Sequence, residues 1–190
     1  MSHLFTPLKL RSLTLPNRIV VSPMCQYSAV EGRVQPWHHA HLGSLALSGA
    51  GMLIVEATAV EPAGRITPGC VGLYDDATEQ ALAGLVRALR SVSPMPLAIQ
   101  IGHAGRKASS GRPGAGGRLL PASAGGWTPV GPSAAPITDE EPAPHALSLA
   151  ELDALKERFV QATLRADRLG ADGVELHGAH GYLLHQFLSP

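Results

Sequence analysis

Short β-branched runs alternate regularly along this chain with longer stretches whose apolar residues recur at helical spacing, and that alternation restricts the folds open to it. RIVVSP, from Arg18 to Pro23, is a β-branched run ended by proline, the mark of a buried strand. The segment from His38 to Ser48 follows, with apolar positions at Leu42, Leu45 and Ala46, and a glycine cluster ends it before MLIVEA begins at Met52. Asp76 with Glu79 predicts a capped helix start, and Ala81, Leu82, Leu85, Val86 and Leu89 form its apolar stripe up to Pro94. PLAIQIG, from Pro96 to Gly102, reads as a third strand. A capping box of Ser148 and Glu151 opens the clearest helix, whose apolar face is Leu152, Leu155, Phe159, Ala162, Ala166 and Leu169 and which Gly170 closes. GVELH, from Gly173 to His177, is the fourth strand, and Leu8 to Leu15 near the start reads as a hairpin. Strands flanked by helices on both sides argue for a parallel α/β sheet covered on both faces; a doubly wound sheet and part of a barrel both satisfy this order. The Gly-, Pro- and Ser-rich segment over 103–147 is an unusually long βα loop, and no internal boundary divides residues 1–190.

Composition removes several function classes. Lys+Arg and Asp+Glu balance at 15 each with no basic run, so neither nucleic acid nor an anionic membrane is an expected partner. The first residues carry no apolar signal region, and the most apolar stretch, Gly51 to Val60, is interrupted by Glu56; the expectation is a soluble cytoplasmic protein. Cys25 and Cys70 are too few for a disulfide framework, which suits a reducing compartment.

If the sheet is part of a (β/α)₈ barrel, chemistry belongs at the C-terminal ends of the strands. Those ends are Ser22-Pro23-Met24-Cys25-Gln26-Tyr27, Glu56-Ala57-Thr58-Ala59, Gln100 with His103, and His177 with His180. Polar and reactive side chains collect at one rim, whereas the opposite ends begin with plain hydrophobic residues.

SPMCQYS, EATAVEPAGRITP, IQIGHAGRKAS and ELHGAHGYLLHQFLSP, in this order and at these separations, resemble the first four strand ends of the Old Yellow Enzyme family of flavin-dependent ene-reductases. Within it they resemble the thermophilic-like branch, which carries a cysteine after the first strand. The resemblance spans essentially the whole chain and implies the first four units of a (β/α)₈ TIM barrel. It implies a non-covalent FMN across the barrel mouth, reduced by NADPH or NADH and reoxidised by the C=C bond of an α,β-unsaturated carbonyl compound, the activity of an NADPH dehydrogenase or ene-reductase.

The resemblance also suggests roles. Hydride addition to an enone needs two hydrogen-bond donors on the developing enolate oxygen, for which His177 and His180 are the candidates. Tyr182 would protonate the α carbon or, on the plainer reading, pack the rim. Tyr27 would contact substrate or simply pack. Pro23, Met24, Cys25, Ala59, Gln100 and His177 would meet the flavin: Cys25 as a thiol that tunes it rather than a nucleophile, Gln100 through an amide that both donates and accepts, and small Ala59 by leaving room. Cys70 reads as structural, and His38, His39 and His41 as structural or solvated. Arg106 and Lys107 would order the long loop or meet a neighbouring subunit.

Complete barrels run to about 250 residues and place phosphate sites after strands seven and eight. The expected partners are therefore a C-terminal half-barrel and further copies of the chain in an oligomer. Two other readings stay open: a non-catalytic half-barrel fragment, and a metal-dependent barrel enzyme using His177 and His180, for which the sequence offers no third ligand.

Overall fold

The computed structural model describes residues 2–189. After a 3₁₀ turn, His3–Phe5, the chain forms the expected hairpin from β1 (Leu8–Leu10) and β2 (Leu13–Leu15), with Leu8 opposite Leu15. Then come β3 (Val20–Val21), α1 (Pro36–Ala46), β4 (Met52–Ala59), α2 (Asp76–Val92) and β5 (Leu97–Gly102). The long loop contains three 3₁₀ turns and a small parallel pair, β6 (Val130–Gly131) with β7 (His145–Ala146). The chain continues through α3 (Leu149–Arg168), β8 (Gly173–Leu176) and the short α4 (Leu183–Leu188).

The main sheet has the order β3-β4-β5-β8 and every pairing in it is parallel, as the β/α alternation predicts. Alternation along each strand sorts its side chains. Leu53, Val55, Leu97, Ile99 and Ile101 face the helices and share one core with Leu82, Leu85, Val86, Leu89, Leu155 and Ala162. Ile54, Ala98, Gln100 and Glu175 belong to the other face, where Gln100 stands beside Glu175 in register.

Three boundaries differ from expectation, each for a local reason. The first strand is confined to Val20–Val21: the Asn17 side chain engages Ile19 N–H and the Gly49 carbonyl just before it, and the chain leaves the sheet at Ser22. Helix α1 starts earlier, at Pro36, because a proline at the first helical position loses no hydrogen bond. Helix α2 is capped by Asp75, whose carboxylate accepts from Thr78 N–H at 2.8 Å, rather than by the Asp76/Glu79 pair. Glu79 is used otherwise: it accepts from Arg168 at 2.9 Å and pairs with Arg165, tying α2 to α3. Those arginines hold the Glu79 carboxyl below its ordinary pKa, Arg168 most strongly.

The Ser148 capping box forms as expected, with Glu151 accepting from Ser148 N–H at 2.8 Å, and Gly170, at φ +77°, takes the left-handed turn that ends the helix. Opposite the reactive rim, Asp172 binds α2, β5 and β8 together: its Oδ2 accepts from Leu97 N–H at 2.7 Å and from Arg90 at 2.5 Å. No helix among the described residues is long and apolar enough to cross a membrane.

Candidate active site

Four strands of one parallel sheet end on the same side, and their ends bring distant residues to one cavity. That cavity, about 390 Å³, is lined by Ser22, Pro23, Cys25, Ala57, Gln100, Glu175, His177, His180 and Tyr182 among others. Of the residues singled out in the sequence, Pro23, Cys25, Gln100, His177, His180 and Tyr182 therefore meet at one place. Three do not line it. Ala59 lies in an adjoining narrow cleft that also touches His177 and Tyr182, Met24 is 50% exposed, and Tyr27 lies beyond Cys25 with φ +52°. Ser22, Ala57 and Glu175 line the cavity without having been singled out. Position parity was the available signal for Glu175, which stands opposite Gln100 on the neighbouring strand.

His177 follows β8 directly, and its N–H still donates to Ile101 O at 2.9 Å, so the sheet fixes its backbone. Gly102 makes room for it: a Cβ there would stand 3.0 Å from His177 Cβ. His180 adopts φ +58°, a conformation that costs an ordinary residue energy, and Lys107 Nζ holds it by donating to the His180 carbonyl at 2.7 Å. Lys107 thus supports the histidine pair from the long loop. The His177 and His180 rings meet edge-on at 5.0 Å, and the Tyr182 ring lies 4.7 Å from His177.

Hydrogen bonds set the tautomers of the pair. Ala179 N–H donates to His177 Nδ1 at 3.3 Å, so the neutral ring carries its proton on Nε2. That nitrogen stands 3.1 Å from His180 Nδ1, which then accepts, leaving the His180 proton on Nε2. Burial, and secondarily the nearby His180, lowers the His177 pKa below its ordinary 6.5, so the ring is neutral at pH 7. Burial likewise pushes the Tyr182 phenol well above its ordinary value.

Behind the first strand end lies a pair made of His38, structural or solvated on the sequence pattern, and Glu56, one of the polar strand-end residues. His38 and Glu56 are both buried, 3.5 Å apart, and Glu56 Oε2 accepts from Gln26 N–H at 3.1 Å. A buried carboxylate therefore anchors the backbone between Cys25 and Tyr27. His103 is equally structural: it bonds Glu61 at 2.8 Å, and Arg158 reaches Glu61 at 2.9 Å. Burial alone would raise the Glu61 pKa, but His103 and Arg158 hold it below its ordinary value.

Residues 3–190 match the NADH:flavin oxidoreductase / NADH oxidase family. The chain belongs to that family. An NADH:flavin oxidoreductase of Gibberella zeae is 44% identical over 193 residues, covering 100% of this chain and 46% of its own length. The NADPH dehydrogenase of Bacillus licheniformis is 41% identical, covering 98% of this chain and 51% of its own length. Among solved structures, morphinone reductase in complex with tetrahydroNAD superposes with a TM-score of 0.80 at 30% identity, over 99% of this chain and 52% of that one. The chain thus spans about half the length of the flavin oxidoreductases it matches, and its parallel sheet is the N-terminal half of an Old Yellow Enzyme-type (β/α)₈ barrel.

A flavin ring suits the donor set at this rim. Gln100 is 7% exposed and offers an amide on the cavity wall, although its Nε2 now donates to Glu175 at 2.5 Å. Its carbonyl oxygen is an acceptor of the kind that a pyrimidine-type edge needs. Among the described residues no group of three His, Cys, Asp or Glu is placed to hold a metal ion.

Proposed function

We propose that residues 1–190 form half of a single FMN-binding barrel domain whose activity is NAD(P)H-dependent reduction of the C=C bond of α,β-unsaturated carbonyl compounds. The observation that carries the proposal is the convergence of Cys25, Gln100, His177, His180 and Tyr182 on one cavity at the strand ends of a flavin oxidoreductase chain. Bound FMN would supply the hydride it has taken from NADPH or NADH. Pro23, Cys25, Gln100 and His177 would hold its ring, with Met24 and Ala59 contributing backbone beside it.

The protein's own work is polarisation and protonation. A carbonyl oxygen placed against the histidine pair meets the His180 Nε2–H directly. It gains the His177 Nε2–H only when that proton turns from His180 Nδ1 to the substrate, so binding exchanges one hydrogen bond for another and costs no donor. Both donors then stabilise the charge that grows on oxygen as the β carbon accepts hydride. Tyr182 would deliver its proton to the α carbon and recover one from water. Tyr27 would close the substrate side.

Replacing His177 with alanine is expected to slow enone reduction by about 10²-fold, the scale of one lost oxyanion donor, with flavin reduction by NADPH far less affected. Stopped-flow absorbance of the two half-reactions separates the outcomes, and equal losses would show that His177 does not act on the substrate.

The relatives' greater length supports a second expectation, that a C-terminal half is needed to anchor the cofactor phosphate. Joined to the C-terminal half of the Bacillus licheniformis NADPH dehydrogenase, the chain should retain FMN, bleach under NADPH without oxygen, and recolour on adding cyclohexenone. Alone, it should leave FMN free in gel filtration. Enone turnover by the chain alone would refute the need for the second half, and a joined protein that bleaches but never recolours would refute ene-reduction. A cytoplasmic homo-oligomer completes the proposal.

A further inference from the structure

The long loop and the segment around α4 enclose a second cavity, about 580 Å³, whose lining includes Arg106, Lys107, Ser133, His185, Gln186 and Ser189. Hydrogen bonds between the two segments fix its floor. Gln186 Oε1 accepts from Arg106 N–H at 3.3 Å, its Nε2 donates to the Gly181 carbonyl at 2.6 Å, and His185 Nδ1 accepts from Gly181 N–H at 2.7 Å. Gly105, at φ +62°, permits this approach: a Cβ there would stand 2.5 Å from Gln186 Oε1. With Nδ1 accepting, the His185 proton sits on Nε2, one more donor. Arginine is always protonated, and Arg106 Nε is buried with no hydrogen-bond partner among the described residues. Lys107 Nζ uses one of its three donors on the His180 carbonyl. Among the described residues no aspartate or glutamate lines the cavity to balance these charges.

A buried N–H without an acceptor is costly, and more so on a permanent cation, so the partner that Arg106 lacks is an anion. Its place in the fold indicates which one. The turn at Gly181 and α4 follow the edge strand β8, the side on which the barrel continues into its second half. An occupant that offsets a buried charge has to be present in every finished molecule, as a chain segment is and a dissolved anion is not. A guanidinium also presents its N–H groups as a planar fork, which a carboxylate matches with two parallel hydrogen bonds. We propose that this cavity is the seat of an aspartate or glutamate side chain from the C-terminal half of the barrel, held between Arg106 and Lys107. The effect reaches the active site. Lys107 is the residue that holds His180 at φ +58°, so a carboxylate beside it fixes the lysine and, through it, the turn that presents the histidine pair. Completing the barrel and setting the two donors are thereby linked.

This assignment rests on the two-half reading above, and the same joined protein tests the two separately. Arg106→Met keeps an apolar stem and removes the charge. In the chain joined to the C-terminal half of the Bacillus licheniformis NADPH dehydrogenase, it should lower the urea midpoint by about 1 M, the scale of a buried pair broken at one end. In the 190-residue chain alone it should leave the midpoint unchanged or raise it, because there it removes an unpaired charge. A carbodiimide couples an amine to a carboxylate in contact with it. In the unsubstituted joined protein it should link Lys107 to an aspartate or glutamate of the second half, as read by mass spectrometry of a tryptic digest. Equal midpoint shifts with and without the second half, in a joined protein that retains FMN, would overturn the proposal and leave the two-half reading standing. So would inorganic phosphate that stabilises the joined protein only when Arg106 is present, since the cavity would then be open to free anions. If the substituted joined protein fails to fold, the Lys107 link decides, and its absence counts against the carboxylate. An unsubstituted joined protein that releases FMN would refute the two-half reading itself, and this assignment with it.

Discussion

Tyr182→Phe is expected to slow alkene reduction by about 10²–10⁴-fold, the range for losing a positioned proton donor, while NADPH reduces the flavin at close to the original rate. The phenol has the geometry for a selective role. It precedes α4, its N–H donates to the Ala179 carbonyl at 3.1 Å, and its ring packs edge-on to His177 at 4.7 Å, so the same turn that presents the histidines positions it. Phenylalanine preserves the ring contacts and removes only the hydroxyl. Burial, then the nearby Cys25, Tyr27 and Cys70, raises the Tyr182 pKa above its ordinary 10.0. A raised pKa keeps the acid form, so the proton-delivering rate should remain level up to pH 10 instead of falling as a free phenol ionises. Stopped-flow measurement of each half-reaction across pH in the completed barrel checks both statements. Equal slowing of both half-reactions would make Tyr182 a packing residue, and a decline centred at the ordinary phenol pKa would remove burial as the relevant influence.

The parts of this fold that local rules govern were legible in the sequence. Ser148 and Glu151 announce α3 because a capping box satisfies its own backbone within one turn, and the runs at Met52 and Pro96 announce strands because buried parallel strands need no polar face. Where two adjacent residues compete for one role, tertiary contacts decide. Asp75 and Thr78 take the cap, since Glu79 is drawn to arginines on a helix far along the chain. The reactive rim was legible because strand ends can be counted. Its lining was only partly so, because strand register determines whether Ala57 or Ala59 faces the cavity, and a register irregularity between Val55 and Thr58 shifts the phase. The turn from Thr67 packs on Tyr27 and Ala29 through Gly69, a contact between distant segments that no local pattern records.

Ile99→Ala should cost about 2–5 kcal/mol of stability, a large share of the roughly 5–15 kcal/mol that holds a typical domain. Ile99 is 0% exposed in β5, flanked in register by Val55 on β4 and Val174 on β8, and it faces the core that α2 and α3 close. Strands on either side and helices above leave the site little freedom to collapse, so most of the lost volume should remain as a cavity. A urea midpoint that falls with unchanged slope would report this loss as one of native packing. Leu176, on the edge strand β8, is 60% exposed, and its truncation in this chain should change stability by less than about 0.5 kcal/mol. A further strand laid beside β8 would bury the edge, and the cost of Leu176→Ala should then rise towards that of a core position while the cost of Ile99→Ala stays the same. A Leu176→Ala cost that is equally small with and without the C-terminal half would show that the barrel does not continue from β8.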